Sequence, residues 1–136
     1  MNVKKILVVD DDAEDRFIIQ DGFTEVGAAD IAHYEEDGEK ALQYLESCIA
    51  QNCLPCLIIL DLNMPRLNGT QTLRAIKTDK RLRDIHVLIY STSLNRIEKE
   101  ECMLLGAEEY IIKPLTFSES LKKALYFKEF CEKLIA

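Results

Sequence analysis

Two stretches decide the reading of this chain: Ile6-Leu7-Val8-Val9-Asp10-Asp11-Asp12 and Leu57-Ile58-Ile59-Leu60-Asp61. In each, a continuous run of apolar residues stops abruptly at acid. Such runs form strands buried on both faces, so both read as central strands of a parallel sheet. In open α/β sheets the functional crevice lies at the carboxyl ends of the strands. If the two strands are neighbours, their terminal carboxylates converge, and buried like charges require protons or a hard cation. The pattern predicts an acidic, divalent-metal pocket with one carboxylate free to do chemistry.

Composition narrows the class. The 136 residues are 48% apolar and 30% charged, ordinary for a globular protein. That length suits one domain, residues 1–136, with no separate output domain expected. The net charge of -7 works against binding nucleic acid or an anionic membrane, and no basic stripe offsets it. The start Met-Asn-Val-Lys-Lys leads into only four strongly apolar residues, too few for a secretory signal. No stretch approaches the ~18 apolar residues of a membrane span. A cytoplasmic location is expected, with Cys48, Cys53, Cys56, Cys102 and Cys131 as reduced thiols.

Cys53-Leu54-Pro55-Cys56 forms a C-x-x-C, but it precedes a strand instead of opening a helix. No second C-x-x-C or close histidine pair completes a zinc site. It reads as a loop cysteine beside a buried strand cysteine. His33 and His86 lack partner ligands and read as structural.

Short elements alternate throughout. Strands are expected at residues 4–9, 30–34 (a more polar edge strand), 56–60, 87–90 and 109–112. Asp12 is a good N-cap for a first helix with Ile18, Ile19, Gly22, Phe23 and Val26 on one stripe, ending near Gly27. The second helix follows Asp37-Gly38, with Ala41, Leu42, Leu45, Cys48 and Ile49 as its apolar positions. Leu73 and Ile76 mark the third; Leu94, Ile97, Leu104 and Leu105 mark the fourth, closed by Gly106. The last runs from about Phe117, with Leu121, Ala124, Leu125, Cys131, Leu134 and Ile135 at core spacing. Tyr126, Phe127 and Phe130 widen that stripe, as core or as a partner surface. Five βα units imply a doubly wound parallel sheet with right-handed crossovers.

The strand ends carry Asp10 and Asp11, then Asp61, then Ser91, then Lys113. That inventory suits phosphoryl chemistry: carboxylates hold Mg²⁺, an aspartate can be a nucleophile, and a hydroxyl and an ammonium can meet phosphoryl oxygens. In order, Ile-Leu-Val-Val-Asp10-Asp11, Ile-Ile-Leu-Asp61-Leu-Asn63-Met-Pro65, Gly69, Ser91-Thr92, Gly106-Ala107 and Lys113-Pro114 resemble the receiver domain of two-component response regulators. The likeness spans Lys5 to about Leu125 and is greatest for small standalone receivers such as those paired with bacterial phytochromes.

The resemblance implies a flavodoxin-like fold with strand order 2-1-3-4-5. It implies Asp61 as phosphoacceptor from a sensor histidine kinase or phosphotransfer protein. Mg²⁺ would sit on Asp11, Asp61 and the backbone carbonyl of Asn63, with Asp10 acting mainly through water. Lys113 would pair with the phosphoryl group and Ser91 would donate to it. Tyr110 stands at the switch-aromatic position, where it would follow Ser91 and change the face of the fourth helix, fifth strand and fifth helix toward a downstream protein. Lys113-Pro114 matches a cis peptide of the family. Tyr90 is bulkier than the usual aliphatic residue and is expected to compete with Tyr110 for space. The protein is expected to act by contact, relay or competition for phosphate, as a monomer or weak homodimer.

Two rivals remain at this point. Phosphatases with an aspartate nucleophile share Asp, Mg²⁺ and Lys, but resemble a D-x-D motif whose second acid is here Asn63. A pseudo-receiver would keep the fold without being phosphorylated; such proteins usually lack an acid or the lysine, and this chain has the full set.

Overall fold

A computed structural model describes residues 4–135. Strands and helices alternate: β1 (Ile6–Val9), α1 (Ala13–Glu25), β2 (Ala32–Glu35), α2 (Gly38–Gln51), β3 (Leu57–Leu60), α3 (Gly69–Thr78), β4 (His86–Ser91), α4 (Arg96–Leu105), β5 (Glu109–Ile112) and α5 (Phe117–Ile135). The sheet runs β2-β1-β3-β4-β5, every neighbouring pair parallel. This is the flavodoxin-like order 2-1-3-4-5. The edge strand β2 starts later than the sequence suggested and ends at Glu35, paired with Val9.

Side-chain caps fix where four helices begin. Asp12 accepts from the Glu14 N–H at 2.9 Å, Asp37 from Lys40 at 2.8 Å, and Asn95 from both Ile97 and Glu98 at 3.1 Å. Asn68 and Gln71 form a reciprocal capping box, both bonds 2.9 Å. Each such cap contributes about 1 kcal/mol. Asp12 is exposed and bonded in this role, which leaves Asp10-Asp11 as the acidic pair.

Strand alternation sorts the core into two layers. Leu7, Val9, Ile58, Leu60, Val87 and Ile89 face α2, α3 and α4, where they meet Leu45, Leu73, Ile76 and Cys102. Ile6, Val8, Leu57, Ile59, Leu88 and Tyr90 face α1 and α5, against Phe23, Ala124, Phe127 and Cys131. Gly22 lets those helices approach closely: a Cβ there would stand 3.0 Å from Ala124 Cβ. Phe127 is core, whereas Phe130 is half-buried and Tyr126 is partly exposed with its hydroxyl on Glu109. Leu125 and Leu134 point outward despite their core spacing, and the side chain of Ile135 lies outside the described residues.

The fourth helix turns differently from its apolar pattern. Cys102 is its buried residue, while Leu94, Ile97 and Leu104 are solvent-exposed, Leu104 at 89%. Of the four residues that marked this helix, Leu105 packs against the core, Ile97 and Leu104 mark the outer face, and Leu94 precedes the first turn.

Gly69 controls the loop between β3 and α3. Its N–H donates to Leu62 O at 3.0 Å, and a Cβ there would fall 2.2 Å from Asp61 O and 2.5 Å from Leu62 Cα. Backbone, not a movable side chain, occupies that space. Gly69→Ala should therefore lower stability by about 2 kcal/mol in urea unfolding, whereas exposed Gly27, with nothing near its Cβ position, should respond through backbone conformation alone.

Candidate functional site

Register brings the strand ends together. Val9 pairs with Leu60, and the Asp61 N–H donates to Val9 O at 2.9 Å, so Asp10 and Asp61 leave the sheet side by side. Ser91 pairs with Ile112, and the Lys113 N–H donates to Ser91 O at 2.6 Å. One carboxylate oxygen each from Asp10, Asp11 and Asp61 lies within 4.8 Å of the others, the one such acidic group among the described residues. Asp10 and Asp61 are buried, whereas Asp11 stands exposed at the rim.

Lys113 binds this cluster from across the sheet. Its Nζ donates to Asp10 Oδ2 at 2.7 Å and Asp15 Oδ2 at 2.8 Å, and lies 3.7 Å from Asp61 Oδ1. Asp10 Oδ1 also accepts the Asp12 N–H at 3.0 Å, and its carbonyl takes Arg16 Nη1 at 2.7 Å. Burial works against the charge on Lys113, but its bonds to Asp10 and Asp15 prevail and raise its pKa. Burial raises Asp10 despite Lys113. Burial and the neighbouring Asp10 charge push Asp61 up to about 7, against the pull of Lys113 and a bond from the Asn63 backbone N–H. One cation is thus set against several acids.

The structure gathers Asp10, Asp11, Asp61 and Lys113 at one point, with Asn63 exposed in the adjoining loop. A groove of about 650 Å³ opens beside them, lined among others by Asp11, Asn63, Met64, Arg74 and Glu101. Ser91 is 2% exposed, on the same sheet face as Val87 and Ile89. Tyr110 packs on that face too, its hydroxyl donating to Ser93 O at 2.8 Å.

Two expectations need correcting. Tyr90 does not compete with Tyr110, because strand alternation sends it to the opposite face, edge-on to Phe127 at 5.4 Å between ring centres. The Lys113–Pro114 peptide is trans, with no cis bond among the described residues. Only about 0.5–1 kcal/mol separates the isomers of such a bond, so the dipeptide alone does not select one. Asp15 was missed as a site residue. It is an acid in the first turn of α1, and only the fold brings Lys113 to it.

His33 stacks on Tyr44 at 3.8 Å between ring centres and pairs with Glu35, and His86 pairs with Glu108.

The profile of the response regulator receiver domain covers residues 6–125. The chain belongs to this family. Among its relatives, the chemotaxis protein CheY1 of Helicobacter pylori (strain 26695) is 30% identical over 82% of this chain and 86% of its own length. The phosphorylated cyanobacterial phytochrome response regulator RcpA is 32% identical, with a TM-score of 0.83 over 93% of this chain and 92% of its own. The Mn²⁺-bound response regulator Rcp1 is 26% identical, with a TM-score of 0.78 over 93% of each chain. This receiver therefore carries the fold of two-component signalling proteins, and none of its described helices is long and apolar enough to cross a membrane.

The receiver's all-oxygen donor set, with more acid than Lys113 balances, fits a hard divalent cation. A metal-free protein must protonate or strain instead. The Asp61 carboxyl titrates near 3.8 when unperturbed and about 7 when folded. Its raised value contributes stability fully below about pH 4, which is lost as pH rises through 7. With chelator present, thermal unfolding should show stability falling from pH 5 to 8, by on the order of 2–4 kcal/mol at most. Millimolar Mg²⁺ should reverse the loss, and Asp61→Asn should flatten the profile and remove most of the Mg²⁺ response.

Proposed function

We propose that this receiver accepts a phosphoryl group on Asp61 from a histidine kinase or phosphotransfer protein, and that the modified domain engages a downstream protein. The observation that carries this reading is the Lys113 ammonium, 3.7 Å from Asp61 Oδ1 and held there by Asp10 and Asp15. A carboxylate with a fixed cation at that distance is arranged for a nucleophile whose product is an anion.

An Asp61 oxygen attacks phosphorus, the bond from phosphorus to the donor histidine nitrogen breaks, and an acyl phosphate forms. Mg²⁺, held by Asp11, Asp61 and the Asn63 carbonyl with Asp10 nearby, would neutralise charge on the transferring oxygens. Lys113 pairs with one phosphoryl oxygen and the Ser91 hydroxyl donates to another. The RcpA relative in its phosphorylated form and the Mn²⁺-bound Rcp1 support both halves of this chemistry by analogy.

The added group carries about 1.5–2 negative charges at neutral pH. As Ser91 turns toward it, Tyr110 gives up its bond to Ser93 O and moves inward, shifting the β4–α4 loop. The neighbouring face is suited to a partner: Ile97 is 78% exposed, and Leu104, Ile112 and Leu115 also reach solvent. We assign the output contact to this α4-β5-α5 face. On this reading the protein works in the cytoplasm as a monomer or weak homodimer, and its only catalysis is on its own aspartate.

Incubation with Mg²⁺ and acetyl phosphate should add about 80 Da, abolished by Asp61→Asn and by chelator. Lys113→Ala should slow modification at least tenfold, and Ser91→Ala should act more weakly. An unchanged mass under conditions that modify another receiver would overturn the assignment and favour a pseudo-receiver. Multiple turnovers of phosphomonoester would favour a phosphatase.

A further inference from the structure

The rim of the sheet opposite the acidic cluster carries a second reactive arrangement. Cys56 sits just before β3, its N–H donating to Lys5 O at 2.9 Å. Its Sγ lies 3.5 Å from Sγ of Cys131 on α5, a residue 75 positions away in sequence, and 3.4 Å from Lys5 O. Cys131 is 0% exposed within the α1/α5 layer, whereas Cys56 is partly open to solvent. The C-x-x-C partner Cys53 instead lies near Gln51, with Sγ 3.8 Å from Oε1.

We propose that Cys56 and Cys131 are an oxidant-responsive pair: the Cys56 thiolate attacks hydrogen peroxide, and Cys131 resolves the product into an intramolecular disulfide. An accessible thiol beside a buried second thiol has the geometry of a peroxide-sensing cysteine with its resolving partner. The neighbouring Cys131 thiol lowers the Cys56 pKa, with Lys5 and His86 adding positive potential, against the opposing effect of burial. Cys131 is shifted upward by the same bond and by burial, and its full burial keeps it from solvent peroxide, whereas Cys56 is reached first. Disulfide formation requires the sulfurs to close from 3.5 Å to about 2.05 Å.

The step balances without a metal or cofactor. The Cys56 thiolate attacks one peroxide oxygen, the O–O bond breaks, and hydroxide leaves to become water, giving a sulfenic acid. The Cys131 sulfur then attacks Cys56 sulfur, the S–O bond breaks, and the hydroxyl departs with the Cys131 proton as a second water. Two thiols are oxidised and one peroxide is reduced to two waters.

The alternatives among the five free cysteines are poorer. Cys48 and Cys102 are buried and burial raises both thiols. Cys53 is partly accessible, but it acts on the disfavoured Cys48 and its Sγ lies 3.8 Å from Gln51 Oε1.

The test uses the full chain treated with dilute hydrogen peroxide, followed by intact-mass and peptide mapping. The expected product has lost two hydrogen masses, yields a linked peptide pair containing Cys56 and Cys131, and reverts with dithiothreitol. Cys53→Ser should cross-link as readily as the parent, and Cys56→Ser should not. Cys131→Ala should stop at a sulfenic acid on Cys56 that dimedone captures. If Cys131→Ala does not fold, the rim variants Cys56→Ser and Cys53→Ser still decide the matter. A Cys53–Cys56 link, a disulfide between chains, or no change at peroxide doses that oxidise glutathione would each overturn the proposal.

Discussion

Two carboxylates at the ends of adjacent buried strands repel each other by several kcal/mol at a separation of about 4–5 Å and an effective dielectric near 20. Nothing in the apolar strands relieves that repulsion; β1 and β3 create it by ending level. The relief comes from Lys113, more than a hundred residues along the chain from Asp10. Its placement requires β5 at the far edge of the sheet, Lys113 N–H bonded to Ser91 O, and α5 folded back onto α1. The lysine thus ties the last strand to the first and leaves a surplus of negative charge that a metal can take up. Fold closure and site assembly are the same event.

Much of this was legible in the chain because the signals are local. Apolar runs ending in acid located β1 and β3, and capping residues such as Asp12 and Asn68 located helix starts. Asp10, Asp11, Asp61 and Lys113 converge as the strand-end pattern implied. What escaped depended on facts that one-dimensional pattern does not hold. Asp15 acquires its role only when Lys113 arrives from β5. Cys56 finds its sulfur neighbour on α5, not three residues earlier in its own motif.

Periodicity also reports that a helix exists without reporting which way it faces. On α4, Ile97 and Leu104 share a stripe turned to solvent, and Cys102 does the packing. On β4, one step along the strand separates Tyr90, against Phe127, from Ser91, on the layer shared with Tyr110. Bulk at Tyr90 is absorbed by the α1/α5 layer. Ser91, Tyr110 and Ser93 lie together on the other layer, Tyr110 bonded to Ser93 O.

Strand β3 is only four residues, about 13 Å long, with a thiol just before it and a carboxylate just after. All four residues are buried and paired on both sides, with β1 and with β4. A strand so clamped is a strut: it cannot slide lengthwise without breaking two ladders at once. Its two ends are therefore held a fixed distance apart, at opposite rims of the sheet. The same short span carries an acid at one tip, beside Lys113, and a thiol at the other, beside Cys131 of α5.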